Sequence, residues 1–227
     1  MNSEIIKLSK ISKRFYGDKK EIKVLNNIDL KINKGDLVSL TGPSGSGKST
    51  LLHIIALLDQ PTSGEVFFNN KNFSKSTDSD KDLVRRSRVS IIYQHNNLLA
   101  DFTALENIMM PLLNNGYSLK DSKEKAQKTL SLVNLTNREN HFPSELSGGE
   151  QQRVAVARAI IVEPDLILAD EPTGSLDMKT ANDIFSLFIK LKSKNRAILY
   201  ATHNRDLAMK ADYKLNILDG NIEKKNE

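Results

Sequence analysis

The sequence predicts an α/β fold in which a mostly parallel sheet is covered by helices. Beyond residue 150, short apolar strands at 166–169 and 197–202 alternate with helical segments at 178–193 and 205–211. Alternation of this kind is typical of parallel strands joined by crossover helices.

Most of the first 70 residues are predicted to be strands. At 28–32, apolar and charged residues alternate with a period of two, which is typical of a strand with one buried face. Further strands are predicted at 37–40 and 65–68, and the first of these runs into a glycine-rich segment. Near the end of the chain, a strand at 213–218 meets Asp219-Gly220, a dipeptide typical of a hairpin turn.

Residues 100–145 have helical spacing and polar connections. Thr103 followed by Glu106 is a capping-box pattern before an apolar run, and Pro111 is expected to end or kink that helix. A second helix is predicted at 121–134, because three apolar residues repeat along one of its faces: Ala126, Leu130 and Val133.

The composition excludes several classes of site. The 227 residues are 39% hydrophobic and 27% charged, and they include no Cys, which rules out disulfides, thiolate zinc sites and cysteine nucleophiles. The apolar runs fall short of the ~20 residues that span a bilayer, and no secretory signal is visible, so the chain is expected to stay where it is made. The formal charge of +5 is spread among interleaved acidic residues, so no nucleic-acid partner is expected.

A phosphate-binding loop is the first motif that carries chemistry. The pattern G-x-x-x-x-G-K-[ST] is met after a strand and before an apolar helix at 51–58. Its glycines let several N–H groups point at one phosphate, Lys48 is predicted to reach the β- and γ-phosphates, and the Ser49 hydroxyl is predicted to bind Mg²⁺. The predicted nucleotide-binding residues of this loop are Gly42, Pro43, Ser44, Gly45, Ser46, Gly47, Lys48, Ser49 and Thr50.

Two carboxylates follow a predicted buried strand. A phosphate loop is expected to have a partner motif of this kind, in which the strand ends in a carboxylate that holds Mg²⁺. The strand at 166–169 is followed directly by Asp170 and Glu171. Asp170 is predicted to hold the metal, and Glu171 lies where it could orient or deprotonate an attacking water.

A third motif, Leu-Ser-Gly-Gly-Glu-Gln-Gln-Arg at 146–153, opens a helix predicted to run to residue 161. A serine cap and exposed N–H groups make this a second anion site. Phosphate loop, signature, strand carboxylates and His203, in this order, resemble the ATP-binding subunit of ABC transporters over essentially the whole chain. The resemblance implies a single P-loop NTPase domain over 1–227, with a mostly parallel core sheet, an N-terminal antiparallel β part and a helical subdomain. The catalytic core would comprise 1–93 and 150–227, and the helical subdomain about 94–149.

The resemblance also implies roles for individual residues. Phe15 matches the aromatic residue that stacks on adenine, with Tyr16 as the alternative. Gln94 matches the glutamine that contacts Mg²⁺ and the attacking water, and His203 matches the histidine that contacts the γ-phosphate. The implied catalytic residues are Glu171, His203 and Gln94, and the implied metal ligands are Ser49, Gln94 and Asp170.

The signature is expected to serve the nucleotide of a second copy of the chain, so that two chains bury two ATP molecules in an isologous dimer. Asp177 matches the end of the loop that couples the two sites in the family. Glu150 stands where much of the family has Gln, and its carboxylate is expected to face away from the phosphates. The residues implied in this contact are Ser147, Gly148, Gly149, Glu150 and Asp177.

The segment at 93–113 resembles the ATPase subunit of the lipoprotein-releasing (Lol) transporter, which acts at the inner membrane of Gram-negative bacteria. The pattern Leu-Leu-x-Asp-Phe-Thr-Ala-Leu-Glu-Asn followed by Met-Pro-Leu-Leu carries this resemblance. It implies ATP hydrolysis that powers lipoprotein release. The alternatives are a macrolide-exporter-like ATPase and a cell-division-type ATPase that signals through a membrane partner. A DNA-repair ATPase is disfavoured, because the segment between Lys48 and Ser147 is too short for a coiled-coil insertion.

The implied partners follow from the absence of a membrane span in the sequence. Integral membrane permease subunits are expected to dock near residues Leu98 to Leu113, with Phe102 and Met109 as anchors, and the lipoprotein cargo would be contacted only indirectly. The expected location is therefore the cytoplasmic face of the bacterial inner membrane, as a peripheral protein.

Overall fold

The strands of the chain form two sheets. The structure is a computed structural model that describes residues 3–16 and 21–225. A four-stranded antiparallel sheet has the order β2-β1-β4-β5, and a six-stranded sheet has the order β10-β9-β3-β8-β7-β6. The strands are β1 (Glu4–Tyr16), β2 (Glu21–Asn33), β3 (Leu37–Thr41), β4 (Ser63–Phe68), β5 (Lys71–Asn72), β6 (Val89–Tyr93), β7 (Leu166–Asp170), β8 (Ala197–Ala201), β9 (Tyr213–Leu218) and β10 (Asn221–Lys225).

In the six-stranded sheet, the pairs from β9 to β6 are parallel, and β10 is added to β9 as an antiparallel edge strand. The turn between β9 and β10 has Asp219 at φ 48° and Gly220 at φ 74°, two positive values of the kind that a type I′ hairpin needs. The predicted parallel core sheet, the N-terminal antiparallel part and this hairpin are confirmed.

Helices connect the strands. Several begin at a side-chain cap that satisfies otherwise unpaired N–H groups: Thr77 caps α2, Thr103 α3, Ser118 α4, Ser147 α5 and Asp177 α6. The helices are α1 (Lys48–Ile55), α2 (Asp78–Ser87), α3 (Ala104–Asn114), α4 (Leu119–Leu132), α5 (Gly148–Ile160), α6 (Met178–Leu191) and α7 (Arg205–Ala208).

The six-stranded sheet separates two hydrophobic cores. Along β7, Leu166 and Leu168 belong to the core that contains α1 and the antiparallel sheet, whereas Ile167 belongs to the core that contains α3 to α6. This is the alternation expected of strand residues, whose side chains point to opposite faces. Both faces of the central strands are therefore covered, which explains their nearly continuous apolar sequence.

Of the two outcomes predicted for Pro111, an end of the helix is excluded, because α3 continues to Asn114, and a kink remains a prediction. The ring removes one backbone donor, but Ile108 and Leu112 on either side of it are buried, and the Asn115 N–H still reaches the Pro111 carbonyl at 3.2 Å. The helix predicted over 205–211 needs correction. It is shorter than predicted: α7 is a single turn that follows its N-terminal cap and ends at Ala208.

Within residues 3–16 and 21–225, no helix is long and apolar enough to cross a membrane. The segment 94–149 contains α3 and α4, and the division of the chain at its two ends remains a prediction.

Candidate functional site

The predicted site residues lie side by side at the carboxyl ends of adjacent strands. Strands β3, β8, β7 and β6 are adjacent and parallel, so their carboxyl ends lie at one edge. The phosphate loop follows β3, His203 follows β8, Asp170 ends β7 with Glu171 next to it, and Gln94 follows β6. Segments that are far apart in the sequence are thereby brought into one row, at the edge where ligands bind in open α/β sheets.

The phosphate loop depends on its glycines. Gly42 has φ 153° and Gly47 has φ 102°, backbone conformations that residues with a side chain rarely adopt. A Cβ atom at Gly42 would lie 2.3 Å from the Ile217 carbonyl oxygen, and one at Gly47 would lie 2.9 Å from a Leu25 methyl group. The loop therefore packs closely against β9 and β2, and only glycine fits at positions 42 and 47.

The hydroxyl of Ser46 is buried and has no hydrogen-bond partner among the residues that the structure describes. A buried polar atom of this kind requires an explanation, and a bound anion would supply the missing partner. Gly45, by contrast, faces open space, since nothing lies within 4 Å of a Cβ atom built there. The loop thus has the open space at Gly45 through which a phosphate group could enter, and the Ser46 hydroxyl that could donate a hydrogen bond to it.

Lys48 lies at the start of α1, and its side chain is buried within the loop. Its Nζ donates hydrogen bonds to the carbonyl oxygens of Gly42 and Pro43 at 2.9 and 3.0 Å. The same Nζ lies 4.0 Å from Oε1 of Glu171. A buried ammonium group held by two carbonyls is a fixed positive charge at the centre of the site. Of its two neighbours in the helix, Ser49 is exposed and Thr50 is half-buried.

Glu171 has a left-handed backbone, with φ 49°. Its N–H donates to the Ala201 carbonyl at 3.1 Å, and its own carbonyl accepts from the Gly174 N–H at 3.0 Å. The carboxylate oxygen Oε1 forms a short contact with Nε2 of His203. Non-glycine residues in this conformation cluster at functional sites, where the surrounding hydrogen bonds hold them in place.

Gln94 and Asp170 are brought together by strand pairing. Tyr93, the residue before Gln94, is in register with Asp170. The amide nitrogen of Gln94 lies against the turn after Glu171, since a Cβ atom at Gly174 would be 3.0 Å from it. Burial raises the pKa of the Tyr93 hydroxyl, and the negative charge of Asp170 raises it further.

The predicted adenine contact lies at the end of β1. Phe15 is 46% exposed, and the Lys13 ammonium lies 5.0 Å above its ring. Lys13 is itself held by the Asp59 carboxylate and the Gln60 carbonyl, both at 2.7 Å. Tyr16, the alternative, is 74% exposed, so each of the two aromatic rings is open to a ligand.

The signature residues form a second group, at the N-terminus of α5. Ser147 caps the helix: its Oγ accepts from the Glu150 N–H at 3.3 Å, and its own N–H donates to Glu150 Oε2 at 2.9 Å. The other carboxylate oxygen of Glu150 accepts from Nε of Arg138 at 2.8 Å. The Glu150 carboxylate therefore points towards Arg138 and the backbone N–H of Ser147. Gly148 and Gly149, in the first turn of the same helix, carry no side chain.

Asp177 lies next to the signature, as the N-cap of α6. Its Oδ1 accepts from the N–H groups of Lys179 and Thr180, and its Oδ2 accepts from the Thr180 hydroxyl at 2.6 Å. These bonds, first of all the one from the Thr180 hydroxyl, lower the pKa of Asp177. A Cβ atom at Gly149 would lie 2.5 Å from the Thr180 methyl group, so the two helix starts are closely packed.

Sequence reasoning missed the residues that connect α5 to the segment after Gln94. Arg158 donates to the carbonyl oxygens of Asn96 and Asn97, both at 2.8 Å. Asn96 donates in turn to Gln151 at 3.2 Å. These contacts join segments about 60 residues apart through backbone carbonyls, which no local motif indicates.

Asn107, also missed, fixes the segment that precedes α3. It is fully buried, accepts from the Leu99 N–H at 2.8 Å, and donates to the carbonyls of Leu99, Phe102 and Thr103 at 2.9–3.1 Å. An asparagine among the apolar residues of a helix was the available signal, because a buried amide requires partners.

The two predicted anchors of the docking segment differ in exposure. Phe102 is 36% exposed, whereas Met109 is 5% exposed and packs in the core with α4 and α5. The prediction that Met109 is a surface anchor is therefore wrong: it was chosen as a large apolar residue of the segment, and its side chain is turned inward. Met110, the next residue, lines a surface cavity with Leu99 and Leu113.

Comparison with known proteins agrees with this geometry. Residues 25–174 match the family model described as ABC transporter. The chain is 47% identical over 218 residues to the lipoprotein-releasing system ATP-binding protein LolD of Rickettsia bellii, covering 95% of this chain and 96% of that protein. It is 44% identical over 223 residues to the protein of that name from Legionella pneumophila strain Lens, covering 98% of each.

A solved structure has the same fold. It is the ATP-binding cassette MJ0796, a dimer in a post-hydrolysis state bound to ADP and Pi, with a TM-score of 0.90, 37% identity, and coverage of 98% of this chain and 100% of that one. The fold and the site thus define an ATP-hydrolysing P-loop cassette. The chain belongs to the ABC transporter family, which confirms the resemblance and the fold class predicted from the sequence.

Proposed function

We propose that this chain is the ATP-hydrolysing subunit of a transporter that releases lipoproteins from the bacterial inner membrane towards the outer membrane. The observation that carries the proposal is the 43–49% identity to lipoprotein-releasing ATP-binding proteins over 92–99% of the chain. The similarity spans the segment at 98–113 as well as the nucleotide motifs, and that segment is where a membrane partner would dock.

In this proposal the phosphate loop and Lys48 bind the triphosphate of ATP. The unpaired Ser46 hydroxyl, the glycine-shaped backbone and the buried Lys48 ammonium fit a phosphate chain. Phe15 stacks on the adenine, with Tyr16 as the alternative. The N–H groups at the start of α1 add the positive end of the helix dipole.

Mg²⁺ would be held by Ser49, Gln94 and Asp170, whose hydroxyl, amide and carboxylate oxygens are hard ligands of the type that Mg²⁺ prefers. Bound there with the phosphates, the ion would neutralise charge that develops on the γ-phosphoryl group. The register of Tyr93 with Asp170 supports the pairing of Gln94 with Asp170 in this role.

Glu171 acts as the general base. It accepts a proton from the water that attacks the γ-phosphorus, while the bond from that phosphorus to the β–γ bridging oxygen breaks and ADP leaves. His203, in contact with the Glu171 carboxylate, holds the base in position and contacts the γ-phosphate. The Lys48 ammonium, 4.0 Å from the same carboxylate oxygen, lies between the phosphate loop and the base, where it would bind the phosphate group under attack.

A second copy of the chain completes the site. Ser147 presents a hydroxyl at the start of α5, and Gly148 and Gly149 present first-turn N–H groups that have no partner within the helix. These groups would receive the γ-phosphate held by the partner. Asp177, packed beside them through Thr180, would connect the two sites. The dimer of the similar cassette MJ0796 supports this arrangement.

The membrane subunits would dock on a groove between α2, α3 and α5. One cavity of about 300 Å³ is lined by Arg85, Arg86, Arg158 and Pro111 among apolar residues, and a neighbouring one of about 790 Å³ shares Arg85, Arg86 and Pro111 and adds Leu99 and Met110. An amphipathic cytoplasmic helix that carries a carboxylate fits this groove, because its apolar face meets the aliphatic side chains and its charge meets the exposed Arg86. The chain would then lie at the cytoplasmic face of the inner membrane, as a peripheral protein.

Reconstitution tests this function. The chain would be purified from native membranes with its partners, placed with them in vesicles that contain a lipoprotein, and supplied with ATP. The lipoprotein should leave the floating vesicle fraction, and it should stay there when the chain carries Glu171→Gln. ATP turnover that responds to a macrolide, or no release while the partners still stimulate ATP hydrolysis, would instead favour the macrolide-exporter-like or cell-division-type alternative.

A further inference from the structure

The signature helix carries a negative charge at the point where a phosphate would bind, and that charge would repel the phosphate. Glu150 lies in the first turn of α5, beside Gly148 and Gly149, whose N–H groups receive a phosphate in the proposed function. The Arg138 guanidinium and the Ser147 N–H lower the pKa of Glu150 to about 2. The residue is therefore ionised at every physiological pH, and protonation cannot remove its charge.

The carboxylate is held at both oxygens. Oε2 accepts from the Ser147 N–H at 2.9 Å, which closes the capping box, and Oε1 accepts from Nε of Arg138 at 2.8 Å. Because the Ser147 Oγ accepts from the Glu150 N–H, the proton of its own hydroxyl is free to be donated to a ligand. The position of Ser147 and that of Glu150 thus depend on each other.

Arg138 reaches Glu150 from a separate segment. It ends a short 3₁₀ turn, Thr136–Arg138, which follows the buried Leu135. Its Nη1 lies 3.4 Å from Nε2 of His141, so the guanidinium is bounded by a ring on one side and the carboxylate on the other. Its side chain is 44% exposed, which leaves room for substitution without a core cavity.

We propose that Arg138 is a positioning residue of the signature: it holds the Glu150 carboxylate back and compensates its charge, so that the N-terminus of α5 can accept an anionic nucleotide. A glutamine at 150 would close the same capping box without a charge and would need no arginine. The inference rests on the proposed contact of the signature with ATP across the dimer.

The test measures ATP-driven dimerisation in a chain that cannot turn over, carrying Glu171→Gln. Sedimentation at graded ATP concentrations gives the concentration at which half of the chain is dimeric. Arg138→Ala should raise this concentration by roughly tenfold, the effect of one uncompensated like charge near solvent. Arg138→Lys should restore most of the loss, and raising the salt concentration should reduce the loss, since salt screens exposed charges.

The decisive comparison is Arg138→Ala in a chain that also carries Glu150→Gln. Arg138→Ala should then have no effect, because there is no charge to compensate. An equal loss in both backgrounds would mean that Arg138 is only structural and would overturn the proposal, as would no loss in either. Arg153→Ala is the matched control, since it removes a guanidinium from α5, the helix of Glu150. The partners of Arg153 are Asp183 at 3.5 Å and the Val133 carbonyl at 3.4 Å, so its effect should not depend on residue 150.

Ser147→Arg tests the underlying dimer separately. It should abolish ATP-driven dimerisation by blocking the contact itself. If Ser147→Arg dimerises normally, the signature does not meet the nucleotide and the proposed dimer is wrong, whatever Arg138 does.

Discussion

The ammonium nitrogen of Lys48 lies 4.0 Å from Oε1 of Glu171, and that oxygen also contacts Nε2 of His203. Lys48 and His203 thus both contact the carboxylate of Glu171, although the three residues belong to three different segments. Lys48 belongs to α1, Glu171 follows β7, and His203 follows β8. The parallel order of these strands is what brings them together.

Lys48→Ala should weaken the binding of ATP itself. The substitution removes a buried positive charge that is held by two loop carbonyls and aimed at the phosphates. Titration with a fluorescent ATP analogue measures the affinity. Lys192→Ala, which removes a half-buried lysine paired with Asp212, is the control and should bind ATP like the unaltered chain.

Phe15→Ala should lower nucleotide affinity by roughly 1–3 kcal/mol, taking base–aromatic stacking on nucleic acids as a guide. The ring is exposed and held beside Lys13, so its removal should leave the core intact. Affinities for ATP and for inorganic triphosphate should be compared, because only the former includes the base. Unchanged ATP affinity in this variant together with a loss in Tyr16→Ala would transfer the stacking role to Tyr16.

Phe102→Ala and Met109→Ala should separate docking from stability. Phe102 is partly exposed, so its removal should leave ATP binding by the isolated chain unaltered while reducing the stimulation of ATP hydrolysis by the membrane partner. Met109 is buried, so Met109→Ala should cost about 2–5 kcal/mol of folding free energy. Denaturant unfolding and partner-stimulated ATPase assays measure the two effects, and a large loss of stability in Phe102→Ala would assign that residue to the core.

Glu150 should make the stability of the chain depend on acid pH. Its pKa is about 2 in the folded chain against an ordinary value of 4.5, so the unfolded chain binds the proton first as the pH falls. The stabilisation is therefore complete above pH 4.5 and is lost progressively towards pH 2. The difference in melting temperature between the unaltered chain and Glu150→Gln should shrink over this range, and a constant difference would contradict the contact with Arg138.

The nucleotide site could be predicted from the sequence because its parts are local. The phosphate loop has a fixed spacing, and the strand before Asp170 and Glu171 is continuously apolar. His203 and Gln94 were implied by the resemblance to the ABC family, and the parallel strands place both in the same row because their carboxyl ends lie at one edge. Sequence alone could not supply the left-handed backbone of Glu171, which depends on hydrogen bonds to β8 and to the turn after it.

The connections outside the strands could not be predicted in this way. Arg138 reaches Glu150 through a 3₁₀ turn and an irregular segment, for which no periodicity exists. For α3, the number of apolar residues suggested a docking surface but could not show which of them face the core, and Met109 was therefore misassigned. Pro111 was expected to end or kink the helix, and α3 continues beyond it, where the buried Leu112 packs in the core.

The most direct test of the account is ATP hydrolysis by Glu171→Gln. The variant should bind ATP with unaltered affinity, lose about 10²–10⁴-fold in turnover, and accumulate as an ATP-bound dimer, since proton transfer from the attacking water is removed. Glu163→Gln is the matched control, because Glu163 also has a left-handed backbone, at φ 53° against 49° for Glu171, and is not among the predicted site residues. Turnover close to that of the unaltered chain in Glu171→Gln would contradict the assignment of the base and the mechanism built on it.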